Sequence, residues 1–220
     1  MKSPHNILVR SIADKKIKAL AARYLKGKLI DIGCGNKPYH SDLKNLVTEH
    51  IGLDHELSPH DKSNIDLVGT AYQIPLETES SDSVLCTAVL EHLEEPHIAL
   101  VECLRVLKPG GYAIYTIPFI WHLHEKPRDF FRFSKYGIKY IFEKAGFEII
   151  DSQALSGFWV TFGQEFVYYL YRFNRGPLRW FKIIEILGYL IQGSSYLLDK
   201  IDKAEDWTWM YIVVVQKPKL

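Results

Sequence analysis

The chain has 220 residues, 47% of them hydrophobic, and its charged side chains nearly cancel to a formal net of +1. That is enough apolar material for one full core and too little net charge to draw the molecule to nucleic acid. Cys34, Cys86 and Cys103 show no CxxC or Cys/His ligand spacing, so neither zinc nor disulfides are expected and free thiols in a reducing compartment are. The segment Met1 to Arg10 is polar and lacks the apolar core of a signal peptide, so cytoplasmic residence is expected.

In chain order, Ile12, Leu20, Ala21, Tyr24 and Leu25 fall loosely at helical spacing, which predicts a leading helix over 11–25 that Gly27 stops. Short apolar runs follow at Lys28 to Ile30, His50 to Leu53, Ile65 to Val68, Val84 to Thr87 and Tyr112 to Ile117. Their separation by crossover-length segments argues for a parallel sheet. The spacing predicts a helix over 96–107, with Pro96 at its start and Ala99, Leu100, Cys103, Leu104 and Leu107 on one stripe, ended by Lys108-Pro109-Gly110-Gly111. Ser134 is placed to cap another helix running to Ala145, with Gly146 as its left-handed terminator, and Phe147 to Ile150 reads as a strand. Beyond Asp151 aromatic residues crowd the chain. Two helices broken at Arg175-Gly176-Pro177 are expected there, the second reaching about Ile201, before a last strand at Met210 to Val215.

The most informative stretch is Asp31-Ile32-Gly33-Cys34-Gly35, directly after the first apolar run. Glycine at 33 and 35 lets a ligand approach the backbone and permits a tight strand-to-helix turn, which suits a nucleoside-bearing cofactor. A dinucleotide fingerprint would place a third glycine at position 38, where this chain has Pro38. Asp54, 21 residues after Gly33, stands at the end of the second apolar run, where a carboxylate can accept both ribose hydroxyls.

Five motifs in order carry a closer likeness: DIGCG at 31–35, GLD at 52–54, DLVGTAYQIP at 66–75, DSVLCTAVLEH at 82–92 and ECLRVLKPGGYAIYTIP at 102–118. Together they resemble the class I S-adenosylmethionine-dependent methyltransferases, particularly the group with the ubiquinone and menaquinone-type enzymes, over roughly 29–150. The resemblance implies an α/β, Rossmann-like doubly wound sheet of seven strands, mostly parallel with an antiparallel last strand, and S-adenosylmethionine as cofactor. One methyltransferase domain would then comprise a leading helix (1–27), a cofactor-binding core (28–151), a two-helix aromatic insertion (152–208) and the last strand (209–220).

By the same resemblance the cofactor would lie against Asp31, Gly33, Cys34, Gly35, Asp54, Thr70, Ala71 and Thr87. Asp31 would either orient the glycine turn or accept from the methionine amino group, with the backbone N–H groups from Gly33 to Gly35 facing the carboxylate. Thr70 stands where the family usually has an acidic adenine contact, which shifts weight to the Ala71 backbone and to Tyr72 or Ile74. An alcohol or phenol acceptor must lose its proton, and His92, His124 and Asp129 are the candidate catalytic residues. Trp121 and Arg132 are candidate substrate contacts. The segment IPFIWHLHEKPRDFFRFS resembles a loop of methyltransferases associated with surface-glycan or secondary-metabolite clusters.

The expected reaction is O-methylation of a small molecule, sugar or lipid-linked intermediate. A cofactor-binding protein without methyl transfer that acts through a partner, and a nicotinamide oxidoreductase, are the competing readings. The aromatic insertion suits a lid, a homodimer surface or a peripheral membrane patch. Its longest uncharged stretch, Ile186 to Leu198, is 13 residues, short of a bilayer crossing, while Arg172, Arg175, Arg179 and Lys182 lie among the aromatics.

Overall fold

A computed structural model describes residues 4–56, 62–202 and 204–219. A helix α1 (Ile7–Tyr24) leads to β1 (Lys28–Ile32), the short α2 (His40–Leu43), β2 (Glu49–Asp54) and β3 (Leu67–Val68). Then come β4 (Ser81–Thr87), α3 (Pro96–Val106), β5 (Leu107–Pro118), α4 (Lys135–Ala145) and β6 (Glu148–Ala154). The chain ends with α5 (Phe158–Leu170), α6 (Gly176–Trp180), α7 (Ile183–Ile201) and β7 (Met210–Gln216).

The strands form one sheet in the order β3-β2-β1-β4-β5-β7-β6. Pairs β1–β2, β1–β4, β2–β3 and β4–β5 are parallel. Gly110 N–H donates to the Lys217 carbonyl at 2.9 Å and Lys217 N–H to the Gly111 carbonyl at 3.0 Å, while Phe119 N–H reaches the Trp209 carbonyl at 2.9 Å. Those three bonds make β7 antiparallel to β5. The order reverses at β1 and β4, the kind of switch point where open α/β sheets hold ligands beyond the strand ends.

Central strands read as unbroken apolar runs because helices cover both faces: Leu29, Ile30, Val84, Leu85, Ala113, Ile114 and Val213 are fully buried. Helix α4 begins where the Ser134 hydroxyl accepts from Gly137 N–H and ends at Gly146 with φ +99°, as its cap residues predict. Phe142, on its inner face, meets Tyr115 edge-on at 4.9 Å.

Several boundaries differ from the sequence expectation for visible reasons. Helix α1 starts at Ile7 rather than Ser11, since Val9, Ala13 and Ile17 continue its buried stripe. Lys108-Pro109-Gly110-Gly111 does not stand outside the sheet as a terminator; it opens β5, because Lys217 pairs with both glycines. Strand β3 shrinks to two residues because the Asp66 carboxylate turns to accept Gly52 N–H at 2.7 Å. The second C-terminal helix is split into α6 and α7 by Lys182, whose φ of +53° breaks the helical path.

The backbone divides into two compact units that cut across the expected segments. One takes the described residues up to Lys16 together with Phe119–His122 and Ala154–Tyr211; the other takes Ile17–Pro118, Leu123–Gln153 and the described residues from Ile212. The second unit carries most of the sheet and all five motifs. Phe142→Ala should destabilise it by about 3–5 kcal/mol, the cost of a cavity left by a buried phenylalanine, measured as a shift of the denaturant midpoint at unchanged slope.

Candidate functional site

The turn after β1 is built on close approach. Gly33 has φ +66°, and a Cβ added there would collide with the Val89 side chain. Gly35, also at positive φ, donates its N–H to Asp54 Oδ2 at 3.0 Å, and His55 N–H donates to Asp54 Oδ1 at 2.8 Å. Two backbone donors thus set the plane of a buried carboxylate at the end of β2.

Val89 reaches Gly33 because Ala88, just past β4, adopts a left-handed φ of +53°. Its N–H is held by the Thr116 carbonyl at 3.0 Å and the Thr116 hydroxyl at 3.1 Å. A non-glycine residue costs energy there and persists only where its surroundings hold it. The bend sends Val89 to His92 toward the carboxyl ends of β1 and β2.

These parts enclose a cavity of about 370 Å³. Ile32, Gly33, Leu53 and Asp54 form its base, Gly69 to Tyr72 one wall, Val89 and His92 to Glu94 the opposite wall, and Arg128 with Phe130 the rim. The volume falls in the range of small-molecule sites. A more open hollow of about 830 Å³ runs along Val68 to Glu77. The charged groups there serve each other: Arg105 bonds both Glu102 oxygens at 2.8 Å and also binds the Ile74 and Leu76 carbonyls.

Of the cofactor residues read from sequence, Gly33, Asp54, Thr70 and Ala71 line the smaller cavity. Asp31, Cys34, Gly35 and Thr87 do not. Asp31 is buried in β1 with its carboxylate 3.0 Å from His50 Nε2; burial pushes its carboxyl up and the histidine opposes that. Cys34 is buried with its thiol pushed up to about 12, chiefly by burial, and so is an inert packing group. Gly35 acts through the Asp54 bond, and Thr87 pairs in register with Thr116 at the end of β4. Sequence reading missed Val89, Leu93, Glu94, Arg128 and Phe130 as lining residues. Only the glycine at 33, which needs a close neighbour, hinted at Val89.

Beside the cavity a second group converges. Glu91 is fully buried and neither carboxylate oxygen has a hydrogen-bond partner. Its Oε1 lies 3.8 Å from His92 Nε2 and 3.9 Å from His124 Nε2, and the two imidazoles meet edge-on at 4.7 Å. The other ring nitrogens are engaged: His92 Nδ1 by the Arg128 carbonyl, His124 Nδ1 by Asp129 Oδ2 at 3.4 Å and Arg132 Nη2 at 3.5 Å. Asp129 also accepts His124 N–H at 2.9 Å and both Arg132 nitrogens at 2.6 and 2.8 Å. The Arg132 guanidinium holds the Asp129 carboxyl well below the usual carboxylate range. Asp129 is therefore a fixed anion that orients His124. The ligand atoms of Glu91, His92 and His124 lie within 4.8 Å of one another, a donor set of the kind that holds divalent cations and one in which no cysteine takes part.

Trp121 stacks on His122 at 5.1 Å and meets Tyr168 edge-on at 5.3 Å, and His122 is 3.2 Å from the Glu165 carboxylate. Those four residues belong to the other compact unit.

Burial pushes the Glu91 carboxyl up to about 8, against the opposing pull of Arg132. A carboxyl raised on folding contributes stability below its unfolded pKa of 4.5 and loses it as pH climbs to the folded value of about 8. Glu91→Gln should remove that part of the pH dependence, so the variant should gain stability relative to the wild type between pH 5 and pH 8. Denaturant midpoints at the two pH values check it; parallel curves for both proteins would contradict the raised pKa.

Comparison with known proteins bears on the whole arrangement. Residues 30–115 match the methyltransferase domain family. The tRNA (carboxymethyluridine(34)-5-O)-methyltransferase of Arabidopsis thaliana is 31% identical over 121 residues, 52% of this chain and 30% of that protein. The ubiquinone biosynthesis O-methyltransferase of Maricaulis maris is 29% identical over 132 residues, 49% of this chain and 52% of the relative. The chain therefore matches about half or less of the length of these curated relatives. Among solved structures, the cyclase SpnF superposes with a TM-score of 0.64 at 20% identity, covering 94% of this chain and 82% of its own. A Haemonchus contortus phosphoethanolamine N-methyltransferase 2, solved with S-adenosyl-L-methionine, gives 0.58 at 17% identity, covering 93% and 53%. At those identities the structures speak for the fold. The family match lies across the glycine turn and the Asp54 cavity, so it is residues 30–115 that resemble the methyltransferase domain, within a fold shared with solved S-adenosylmethionine-dependent methyltransferases.

Proposed function

We propose that this chain methylates an oxygen atom of a small molecule, sugar or lipid-linked acceptor, with the His92–His124 pair receiving the acceptor's proton. The observation that carries this reading is that His92 lines the same cavity as Gly33 and Asp54 while touching a second, anchored histidine. S-adenosylmethionine supplies an electrophilic methyl group on a sulfonium. The residues fit it: Gly33 brings bare backbone to the cavity lining, and Asp54 presents a carboxylate suited to ribose hydroxyls.

The protein's own contribution is placement and proton removal. Holding an acceptor oxygen in line with the methyl group supplies much of the acceleration in a displacement of this type. His92 stands at the cavity wall and His124 behind it, its ring oriented by Asp129 and Arg132. Asp129, held ionised by Arg132, stabilises positive charge arriving on His124. The net charge of +1 weighs against an RNA acceptor of the kind named for the Arabidopsis relative, since RNA binding draws on many phosphate contacts.

Asp54→Ala should weaken S-adenosylmethionine binding by about ten- to a hundredfold, the loss expected for hydrogen bonds to a charged group, and Gly33→Ala should weaken it through the Val89 collision. Calorimetry with cofactor alone reads both. His124→Ala should lower transfer of radiolabelled methyl into a lysate or glycan library by about 10²-fold or more with cofactor affinity unchanged. Equal transfer by that variant would move proton removal elsewhere, and no transfer by the wild type to any pool would favour a cofactor-binding role without chemistry.

A further inference from the structure

Helices α5 and α7 are built inside out. Helix α7 buries Ile184, Gly188, Gln192 and Ser195, whereas Ile183, Leu187, Leu190, Leu197 and Ile201 are exposed, Leu190 at 64% and Ile201 at 83%. Those exposed residues recur every three or four positions, with Ser194 completing the stripe, so one whole apolar face points outward. Helix α5 repeats the pattern. It buries Val160, Thr161, Gln164 and Val167 and exposes Trp159, Phe162, Phe166 and Tyr169, a stripe that Phe173 extends.

The inward polar face has a structural cause. Gln192 accepts from Leu8 N–H at 3.0 Å and donates to the Pro4 carbonyl at 3.2 Å, and Gln164 donates to the His5 carbonyl. These amides satisfy the backbone of the N-terminal segment inside the same unit. Small residues let the two helices approach: a Cβ on Gly163 would strike Ser195, and one on Gly188 would touch Val167. Small residues between helices with large apolar residues outside is the arrangement of helices that meet lipid.

The segment joining the helices adds charge. Between Phe166 and Ile184 the only charged residues are Arg172, Arg175, Arg179 and Lys182, all exposed. Trp180 is 80% exposed and Phe181 59%. No described helix is long and apolar enough to cross a membrane. A helix of 19 residues, about 28 Å long at 1.5 Å per residue, with an apolar face and cations at one end, suits a position in the plane of the headgroups.

We propose that the outward faces of α5 and α7, with the basic segment between them, dock on the surface of a bilayer containing anionic lipids. Charge complementarity selects this occupant over a second copy of the chain. Anionic headgroups neutralise the four cations, whereas Glu165, Asp199 and Asp202, carboxylates that a second copy could bring to them, are already held by His122, Gly157 N–H and Trp159 Nε1. The proposal does not depend on the methyl-transfer reading.

Flotation of the full chain with vesicles tests it. Binding is expected to phosphatidylcholine vesicles containing phosphatidylglycerol, much less to phosphatidylcholine alone, and to fall as salt rises. Arg175→Gln with Arg179→Gln should lower binding by about tenfold or more, at roughly fivefold per cation near a charged surface. Leu190→Ser with Leu197→Ser should weaken it with the cations intact, and unchanged circular dichroism shows that both variants fold. The proposal is overturned if neither vesicle recruits the chain, if both recruit it equally, or if the variants bind like the wild type. It is equally overturned by a solution dimer that the leucine variant dissociates while vesicles recruit nothing.

Discussion

The hydrogen bond from Gly35 N–H to the Asp54 carboxylate ties the turn after β1 to the end of β2. Without it the glycine turn and the Asp54 carboxylate would belong to independent loops. With it, an amide released by a positive-φ glycine becomes the support of a buried anion. Burial of that carboxylate is tolerated because Gly35 and His55 N–H groups share its charge. Gly33 adds the second constraint, since its missing Cβ is the space that Val89 fills.

The same close approach links the glycine turn to the group formed by Glu91, His92 and His124. Ala88 holds a conformation that L-residues rarely adopt, and two bonds to Thr116 keep it there. That strained residue sets Val89 against Gly33 and carries Glu91 and His92 into line with His124. A buried, unpartnered carboxylate between two imidazoles costs stability wherever it must ionise. The arrangement is the kind of local expense that functional sites retain.

The C-terminal helices follow another logic. Ordinary amphipathic helices bury their apolar stripe, and α5 and α7 invert that because their inward amides satisfy the backbone of the N-terminal segment. Large aromatic and aliphatic side chains are left on the outside. The resulting surface owes its character to which face the polar partners claimed.

Much of this was legible in the residues themselves. The glycine turn, Asp54, the capped helix from Ser134 to Gly146 and the alternating strands follow from local backbone preference and periodicity, which act over a few residues and need no distant partner. Positions 30–115 carry a family likeness for the same reason, because ligand-bearing turns recur as short motifs. What depended on distant contacts was hidden: Lys217 drawing Gly110 and Gly111 into β5, His50 claiming Asp31, and Glu91 meeting a histidine from the loop after β5. Aromatic crowding and the break at Arg175-Gly176-Pro177 marked two helices beyond Asp151 but could not say which face of either turns inward. Only the tertiary structure decided that, because the answer lay in hydrogen bonds to backbone more than 150 residues away in sequence.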